Sequence, residues 1–345
     1  VCACPDSEVR WRSGAQPVGC AMPEVTGVLL AGGRGTRLHP VTADGTPKAL
    51  VPLFGEQTLL SMTQDRLAAA TDRQPIVTHR STADRYREHA PDTELLVEPV
   101  RRDTGPAVAH AISTLYARDP EGTVVVTPAD HLADEAFTRA LTTAVTAATQ
   151  RGVIVLMGVT PTRTATGYGY IEPVAMDTDG ITAVTSFHEK PDPATADALI
   201  QQGALWNTGV LVAPVRVLHA AIRDSALAGF AATVLADPTA AYAQVRSVSV
   251  DVAVLEGHDD LWVLPVAADW EDVGSWDAFA RMPARDLIES SGPVDLVASE
   301  GVTVLSDGPT VAAVGVEDLI IVAWDGEVLV VDPAAAQRVR GLADR

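Results

Sequence analysis

From Thr26 onward the chain sets short apolar runs against longer stretches in which apolar positions recur at helical spacing. The runs GVLLA (27–31), PIVTH (75–79), ELLVE (94–98), TVVVT (123–127) and VIVLMG (153–158) predict buried strands. Helical spacing at 58–70, 106–117 and 134–150 predicts helices between them, and Pro106 suits a first helical turn, where the N–H it lacks has no partner to lose. Strands and helices in alternation are the pattern of βα units, so the expected core is a doubly wound, mostly parallel α/β sheet. After about Pro283 the texture shifts to the β-branched runs VDLVA, VTVL, TVAAV, LIIVAW and EVLVV, split by Gly, Asp and Pro. They predict a small all-β module closed by a helix from about Pro333 to Ala343. No hexapeptide or longer repeat is read in it, so a multi-turn β-helix is not expected.

These shifts divide the chain into an N-terminal extension (1–23), a main domain (24–283) and a C-terminal β domain (284–345). With 345 residues the chain exceeds what one core of about 250 to 300 residues supports, in keeping with that division. Apolar residues make up 47% and charged residues 20%, a balance that argues against long disordered stretches. Its 25 basic and 45 acidic side chains leave a formal charge of -20, which repels phosphate backbones and excludes nucleic acid as an expected partner. A small anion can still be served by a few inward-facing cations.

The three cysteines Cys2, Cys4 and Cys20 all precede the patterned region, so the body has neither a disulfide framework nor a cysteine metal site, as suits a reducing cytoplasm. Cys2 and Cys4 alone fall short of a tetrahedral ligand set. The first residues lack the apolar core of a signal peptide, Met22 is a candidate natural start, and no run of about 18 apolar residues occurs. Neither secretion nor membrane insertion is expected.

The segment LLAGGRGTRLHP (29–40) puts a glycine-rich loop directly after the first strand, where backbone N–H groups can converge on phosphate oxygens. It lacks the Gly-Lys-Ser/Thr ending of a Walker loop, and Leu38 stands where a dinucleotide fingerprint has its third glycine. What remains is G-G-x-G-T-R followed by TPKAL (46–50). Arg37 offers a bidentate fork to a triphosphate, and Lys48 offers a point charge from the extended segment set by Pro47.

Loop, arginine and following Pro-Lys resemble the sugar-1-phosphate nucleotidylyltransferases. Further motifs follow in that family's order: EPVRRDTGPAVA (98–109), TPADH (127–131), TGYGYIEP (166–173), FHEKPD (187–192), LWNTGVLV (205–212), SVSVDVAVLE (247–256) and DWEDVGSW (269–276). Within the family the set is most similar to the branch that makes GDP-mannose from GTP and mannose 1-phosphate. The resemblance implies a Rossmann-like nucleotidyltransferase core, Mg²⁺ as cofactor, and a homodimer. It assigns catalysis to Arg37, Lys48, Asp130 and Asp272, with Asp130 and Asp272 as metal ligands. Ala31, Gly32, Gly33, Gly35, Thr36, Arg37, Thr104, Pro106, Ala107 and Asp130 then line the nucleotide. Gly169, Glu189, Lys190 and Asn207 take the sugar phosphate.

Each of these residues also has a plain structural role open to it. Alone, Asp130 or Asp272 reads as a turn carboxylate, Glu189 and Lys190 as an exposed ion pair, and Asn207 as a turn brace. Trp206, Trp270 and Trp276 read as packing, His131 as a brace for the loop carrying Asp130, and Asp269 and Glu271 as structural or solvated. The chain departs from the mannose branch at Asp103 (Asn there), Gly105 (Ala), Thr208 (Ser) and Ala49-Leu50 (Gln-Phe). Another sugar- or cyclitol-1-phosphate or another nucleotide therefore stays open. So does a silent nucleotide-sugar sensor, against which Arg37, Lys48, Asp130 and Asp272 together argue.

Overall fold

The computed structural model describes residues 24–33, 35–53, 55, 57–174, 180–281 and 292–342. Cys2, Cys4, Cys20 and Met22, the extension over 1–23, the boundary at Pro283 and Ala343 lie outside the described residues. A single sheet of nine strands runs through the main body. Its strands are β1 (Val25–Leu30), β2 (Ile76–His79), β3 (Leu95–Glu98), β4 (Thr123–Pro128), β6 (Ile154–Val159), β7 (Tyr170–Pro173), β8 (Thr182–His188), β9 (Leu205–Pro214) and β10 (Leu261–Val266). A separate short pair is formed by β5 (His131–Ala133) and β11 (Trp270–Asp272). The helices are α1 (Leu59–Ala68), α2 (Ala83–His89), α3 (Thr104–Arg118), α4 (Glu135–Arg151), α5 (Pro193–Gln201), α6 (Val215–Arg223), α7 (Ala228–Thr233), α8 (Pro238–Gln244) and α9 (Trp276–Arg281).

The expected strands and helices of the first half are all present, and so is the α/β class. The order β3-β2-β1-β4-β9-β6-β10-β8-β7 shows where the sheet departs from a mostly parallel one. The first four strands are parallel, as is the β6/β10 pair, but β9 runs antiparallel to both β4 and β6, and β7 and β8 extend the far edge antiparallel. The sheet is therefore mixed. Alternating side chains feed two cores because strand residues point to opposite faces. Val28, Val124, Val126, Ile154 and Leu156 pack with α3 and α6. Leu29, Val125, Val155 and Met157 pack on the other face with α1 and α4.

The C-terminal runs form β12 (Val294–Val297), β13 (Thr303–Ser306), β14 (Val311–Val314), β15 (Ile320–Trp324) and β16 (Glu327–Val331). β12 lies parallel to β14 with Val294 opposite Val311, and β13 lies parallel to β15 with Thr303 opposite Ile320, both offsets being 17 residues. Glu300 bridges Glu317 at the same offset. Two stacked coils of a β-helix result, closed by β16 folding antiparallel onto β15. The sequence leads to the expectation that a multi-turn β-helix is not present; a short one of two coils is. The period is one whole coil, and it preserves only apolar character at corresponding positions, so no short repeat marks it. The closing helix, Pro333–Gly341, is of 3-10 type.

This module is no loose appendage. Leu305, Ile320, Val322, Ala336 and Val339 share a core with Leu38, Val41, Val51, Leu53, Val273, Trp276 and Phe279 of the main body. The glycine-rich loop thus runs out of β1 and into a core that the module completes. Among the described residues, no helix is long and apolar enough to cross a membrane.

Candidate active site

The glycine loop leaves β1 at Ala31, whose N–H donates to Val77 O at 2.8 Å. Gly32 turns its carbonyl to Arg101 Nε at 2.9 Å, and Gly33 is open around its missing side chain. Gly35 is left-handed at φ 65°, and a Cβ there would lie 2.9 Å from Lys48 Cβ, so both conformation and space call for glycine. Thr36 then opens a 3-10 turn, Thr36–Leu38, that presents Arg37 at the surface while Leu38 is fully buried.

Lys48 is the centre of the arrangement. Only 6% exposed, it places Nζ 2.8 Å from Asp130 Oδ2 and 3.5 Å from Asp272 Oδ1. The two carboxylates meet because β5 and β11 pair antiparallel with Asp272 opposite His131, the residue next to Asp130. His131 Nε2 lies 3.6 Å from Asp272 and 3.9 Å from Asp130. Behind the turn, buried Arg66 donates Nη2 to His131 O at 3.2 Å. His131 and Arg66 thus brace the loop that carries Asp130, the first as read from the sequence.

Burial opposes the charge on Lys48, but the two carboxylates overcome it and hold the ammonium above its ordinary range. Burial likewise pushes Asp272 up, yet Lys48, His131 and Arg37 together bring it below the usual carboxylate range. His131 is pushed down by burial despite the pull of both acids. The result is a lysine cation clasped by two anions, with Arg37 at its side: Arg37 Nη2 is 3.1 Å from the position a Gly274 Cβ would take.

Next to this clasp is a cavity of about 250 Å³, reached by Asp272, His131, Gly169, Glu189, Lys190 and Asn207. Glu189 and Lys190 form an ion pair. Asn207 Nδ2 donates to Asp251 Oδ1 at 2.8 Å, and its own Oδ1 accepts from Gly209 N at 3.1 Å. At Gly169 a Cβ would stand 2.9 Å from Glu189 Oε2, which keeps that backbone at the cavity wall. Asp251, in a π-turn over Asp251–Leu255, is the acid that residue-by-residue reading missed. Burial and the nearby Glu189 charge push its pKa up to about 6. Its one sequence signal was its place in SVSVDVAVLE.

The segment 98–109 divides. Thr104 lines the cavity and its Oγ1 accepts from Val250 N at 3.0 Å. At Gly105 a Cβ would meet Val248 O at 2.6 Å, so an alanine does not fit the approach of α3 to that strand of chain. Pro106 and Ala107 are buried on α3, Ala107 in the core. Glu98, a second acid that sequence reasoning passed over, is buried beneath the loop, 3.1 Å from where a Gly32 Cβ would be, with Oε1 lacking a hydrogen-bond partner. Burial pushes its pKa up to about 7 against the pull of Tyr242 and Arg101.

Trp206 and Trp276 are buried packing residues, and Trp270 is partly buried against His131 and Tyr168. Glu271 is structural. It ties Arg163 at 3.1 Å, Tyr168 at 3.2 Å and Arg281 at 2.8 Å, joining the loop before β7 to β11 and α9.

Comparison with known proteins agrees with this geometry. A family model described as Nucleotidyl transferase matches residues 26–288, and one described as MannoseP isomerase/GMP-like beta-helix domain matches residues 294–345. The chain is 34% identical over 330 residues to the xanthan biosynthesis protein XanB of Xanthomonas campestris pv. campestris, covering 90% of this chain and 70% of that one. To a mannose-1-phosphate guanylyltransferase of Klebsiella pneumoniae it is 32% identical over 341 residues, covering 91% and 72%. It superposes on a solved structure described as mannose-1-phosphate geranyltransferase from Thermus thermophilus with a TM-score of 0.86 at 31% identity, covering 93% of this chain and 99% of that one. Since the first of these matches takes in the glycine loop, Lys48, both carboxylates and the cavity beside them, the chain belongs to the Nucleotidyl transferase family.

Proposed function

We propose that the chain transfers the guanylyl group of GTP to mannose 1-phosphate, giving GDP-mannose and pyrophosphate. The observation that carries this reading is the position of Lys48, clasped by Asp130 and Asp272 between the glycine loop and the cavity that holds Glu189, Lys190 and Asn207. A phosphate oxygen of the sugar phosphate attacks the α-phosphorus in line. The new P–O bond forms as the α–β bridging P–O bond breaks, and its electron pair leaves with pyrophosphate. Phosphoryl chemistry of this kind asks the protein for placement and charge rather than for a covalent intermediate.

The roles follow from charge and reach. Backbone N–H groups of Gly32, Gly33, Gly35 and Thr36 donate to phosphate oxygens, Arg37 forks onto the leaving pyrophosphate, and Lys48 neutralises charge at the α-phosphate, while Ala31 anchors the loop to β2 through its N–H. Lys190 holds the phosphate of the sugar substrate, while Glu189, Asp251 and Asn207 take sugar hydroxyls, with Gly169 admitting the ring to the wall. Asp130 and Asp272 supply hard anionic oxygens turned toward one cation, with their remaining surfaces open. That donor set fits Mg²⁺, which takes one or two carboxylates and completes its shell from water and phosphate. When bound, the ion would add to the neutralisation of phosphate charge.

Glu98 supports guanine. The N1–H and the exocyclic amine of guanine are two adjacent donors for one carboxylate, whereas uracil and thymine present a single N–H between carbonyls. Thr104 follows in the same segment at the cavity edge, with Pro106 and Ala107 buried behind it on α3. We extend the same reading to a cytoplasmic homodimer, supported by cysteines confined to the N-terminal end and by the exposed Leu296, Val297, Val314 and Val328 of the β-helix module.

Mass analysis of products made from GTP and mannose 1-phosphate labelled with ¹⁸O in its phosphate tests the reaction. Label is expected in GDP-mannose and none in pyrophosphate. Label in pyrophosphate, or no nucleotide-sugar at all, would refute it.

A further inference from the structure

The β-helix module sends one side chain back to the nucleotide loop. Gln337, on the closing 3-10 helix, accepts from Arg37 Nη1 through Oε1 at 3.2 Å. Its Nε2 donates to Ser275 Oγ at 2.9 Å and to Asp277 Oδ1 at 3.2 Å. This amide has one possible orientation. Arginine only donates and the Asp277 carboxylate only accepts, so a flipped amide would lose both bonds at once.

The anchor behind it is firm. Asp277 accepts from Ser275 Oγ at 2.5 Å and pairs with Arg281 at 2.6 Å, and Arg281 reaches Glu271 at 2.8 Å. On the helix itself Ala336 and Val339 flank Gln337 and are buried in the core that also takes Leu38, the neighbour of Arg37. The C-terminal module thus holds the guanidinium of Arg37 through Gln337 and packs on its neighbour Leu38.

We infer that Gln337 is a positioning residue for Arg37, so that the β-helix module completes the triphosphate side of the active site rather than only stabilising the fold. A free arginine on the surface samples many rotamers, and fixing it in advance removes that ordering cost from nucleotide binding. Because one guanidinium nitrogen is engaged by Gln337, the others are left for phosphate. The inference rests on the reading of Arg37 as a triphosphate ligand.

The test is a double-mutant cycle on the full chain, using Q337M, which keeps length and removes both polar atoms, and R37M. Binding of GTP is measured by calorimetry, and steady-state constants are measured for both substrates. Q337M is expected to raise the Kd and KM for GTP about fivefold, in the range of one ordinary hydrogen bond, since the contact is exposed and screened. The KM for the sugar phosphate should not move, while the melting temperature should fall by a few degrees at most, from the lost bonds to Ser275 and Asp277. In the R37M background, Q337M should change GTP binding no further. An unchanged GTP Kd in Q337M, or a loss that multiplies that of R37M, would overturn the inference while leaving the proposed function standing. Wild-type protein that binds no nucleoside triphosphate would instead remove the reading of Arg37, and the inference with it.

Discussion

Replacing Asp272 with Asn keeps side-chain volume and removes one of the two anions that clasp Lys48. If the two carboxylates faced each other alone, the change would relieve repulsion and leave the unliganded protein as stable or more so. Lys48 reverses the sign. At 3.5 Å and an effective dielectric near 20, the attraction between Lys48 and Asp272 is about 5 kcal/mol before desolvation. The Asp272 side chain is 32% exposed, so screening and recovered hydration reduce the net loss to about 1 to 2 kcal/mol. For a chain of 345 residues that corresponds to a fall in melting temperature of about 1 to 3 °C. Turnover should fall on the order of 10²-fold, as when one preorganised electrostatic group is removed.

The double mutant D130N/D272N separates the two effects. For turnover both residues serve one charge centre, so the pair should be little worse than the poorer single mutant. For stability the pair leaves Lys48 buried with no counter-ion, and the loss should exceed either single loss. Calorimetric melting without metal and kinetics across a Mg²⁺ titration provide both readings. A D272N protein that melts at or above the wild-type temperature, or turnover losses that simply multiply, would refute the clasp.

Two other acids give independent tests. Glu98→Gln keeps shape but replaces an acceptor pair with one acceptor and one donor, so kcat/KM for GTP should fall at least tenfold while that for UTP falls less. Equal losses across nucleotides would remove the base-reading role. Asp251 has its folded pKa pushed up to about 6, above the ordinary carboxylate value, so its ionisation in the fold costs stability from about pH 4 upward, in full above about pH 6. Asp251→Asn should therefore be more stable than wild type at pH 7.5 and lose that advantage below about pH 4. Its KM for the sugar phosphate should rise while the KM for GTP holds. Denaturant melts across pH and steady-state kinetics check both, and a variant that destabilises equally at every pH would contradict the buried charge.

What the chain disclosed in advance was whatever is local. The strands β1 to β4 and β6, the glycine loop and the two aspartates proposed as metal ligands each sit in a short motif whose chemistry can be read in place. Lys48 was legible as a phosphate ligand but not as the cation between Asp130 and Asp272, because that contact exists only once β5 pairs with β11. Glu98 and Asp251 went unread since an acid at a strand end or a turn looks solvated until its burial is known. The antiparallel insertion of β9 is equally non-local, as a buried strand has the same apolar texture in either direction. The β-helix hid in a 17-residue offset that preserves hydrophobicity and little else. Gln337 carries no motif at all, and its tie to Arg37 spans 300 residues.

The central claim is best tested by the specificity of the wild-type enzyme. Pyrophosphate release is measured with Mg²⁺ over GTP, ATP, UTP and dTTP, each paired with mannose 1-phosphate, glucose 1-phosphate and further hexose and heptose 1-phosphates. The account predicts the highest kcat/KM for GTP with mannose 1-phosphate, with GDP-mannose and pyrophosphate formed in equal amounts. A kcat/KM at least tenfold higher for another nucleotide or another sugar phosphate would contradict it.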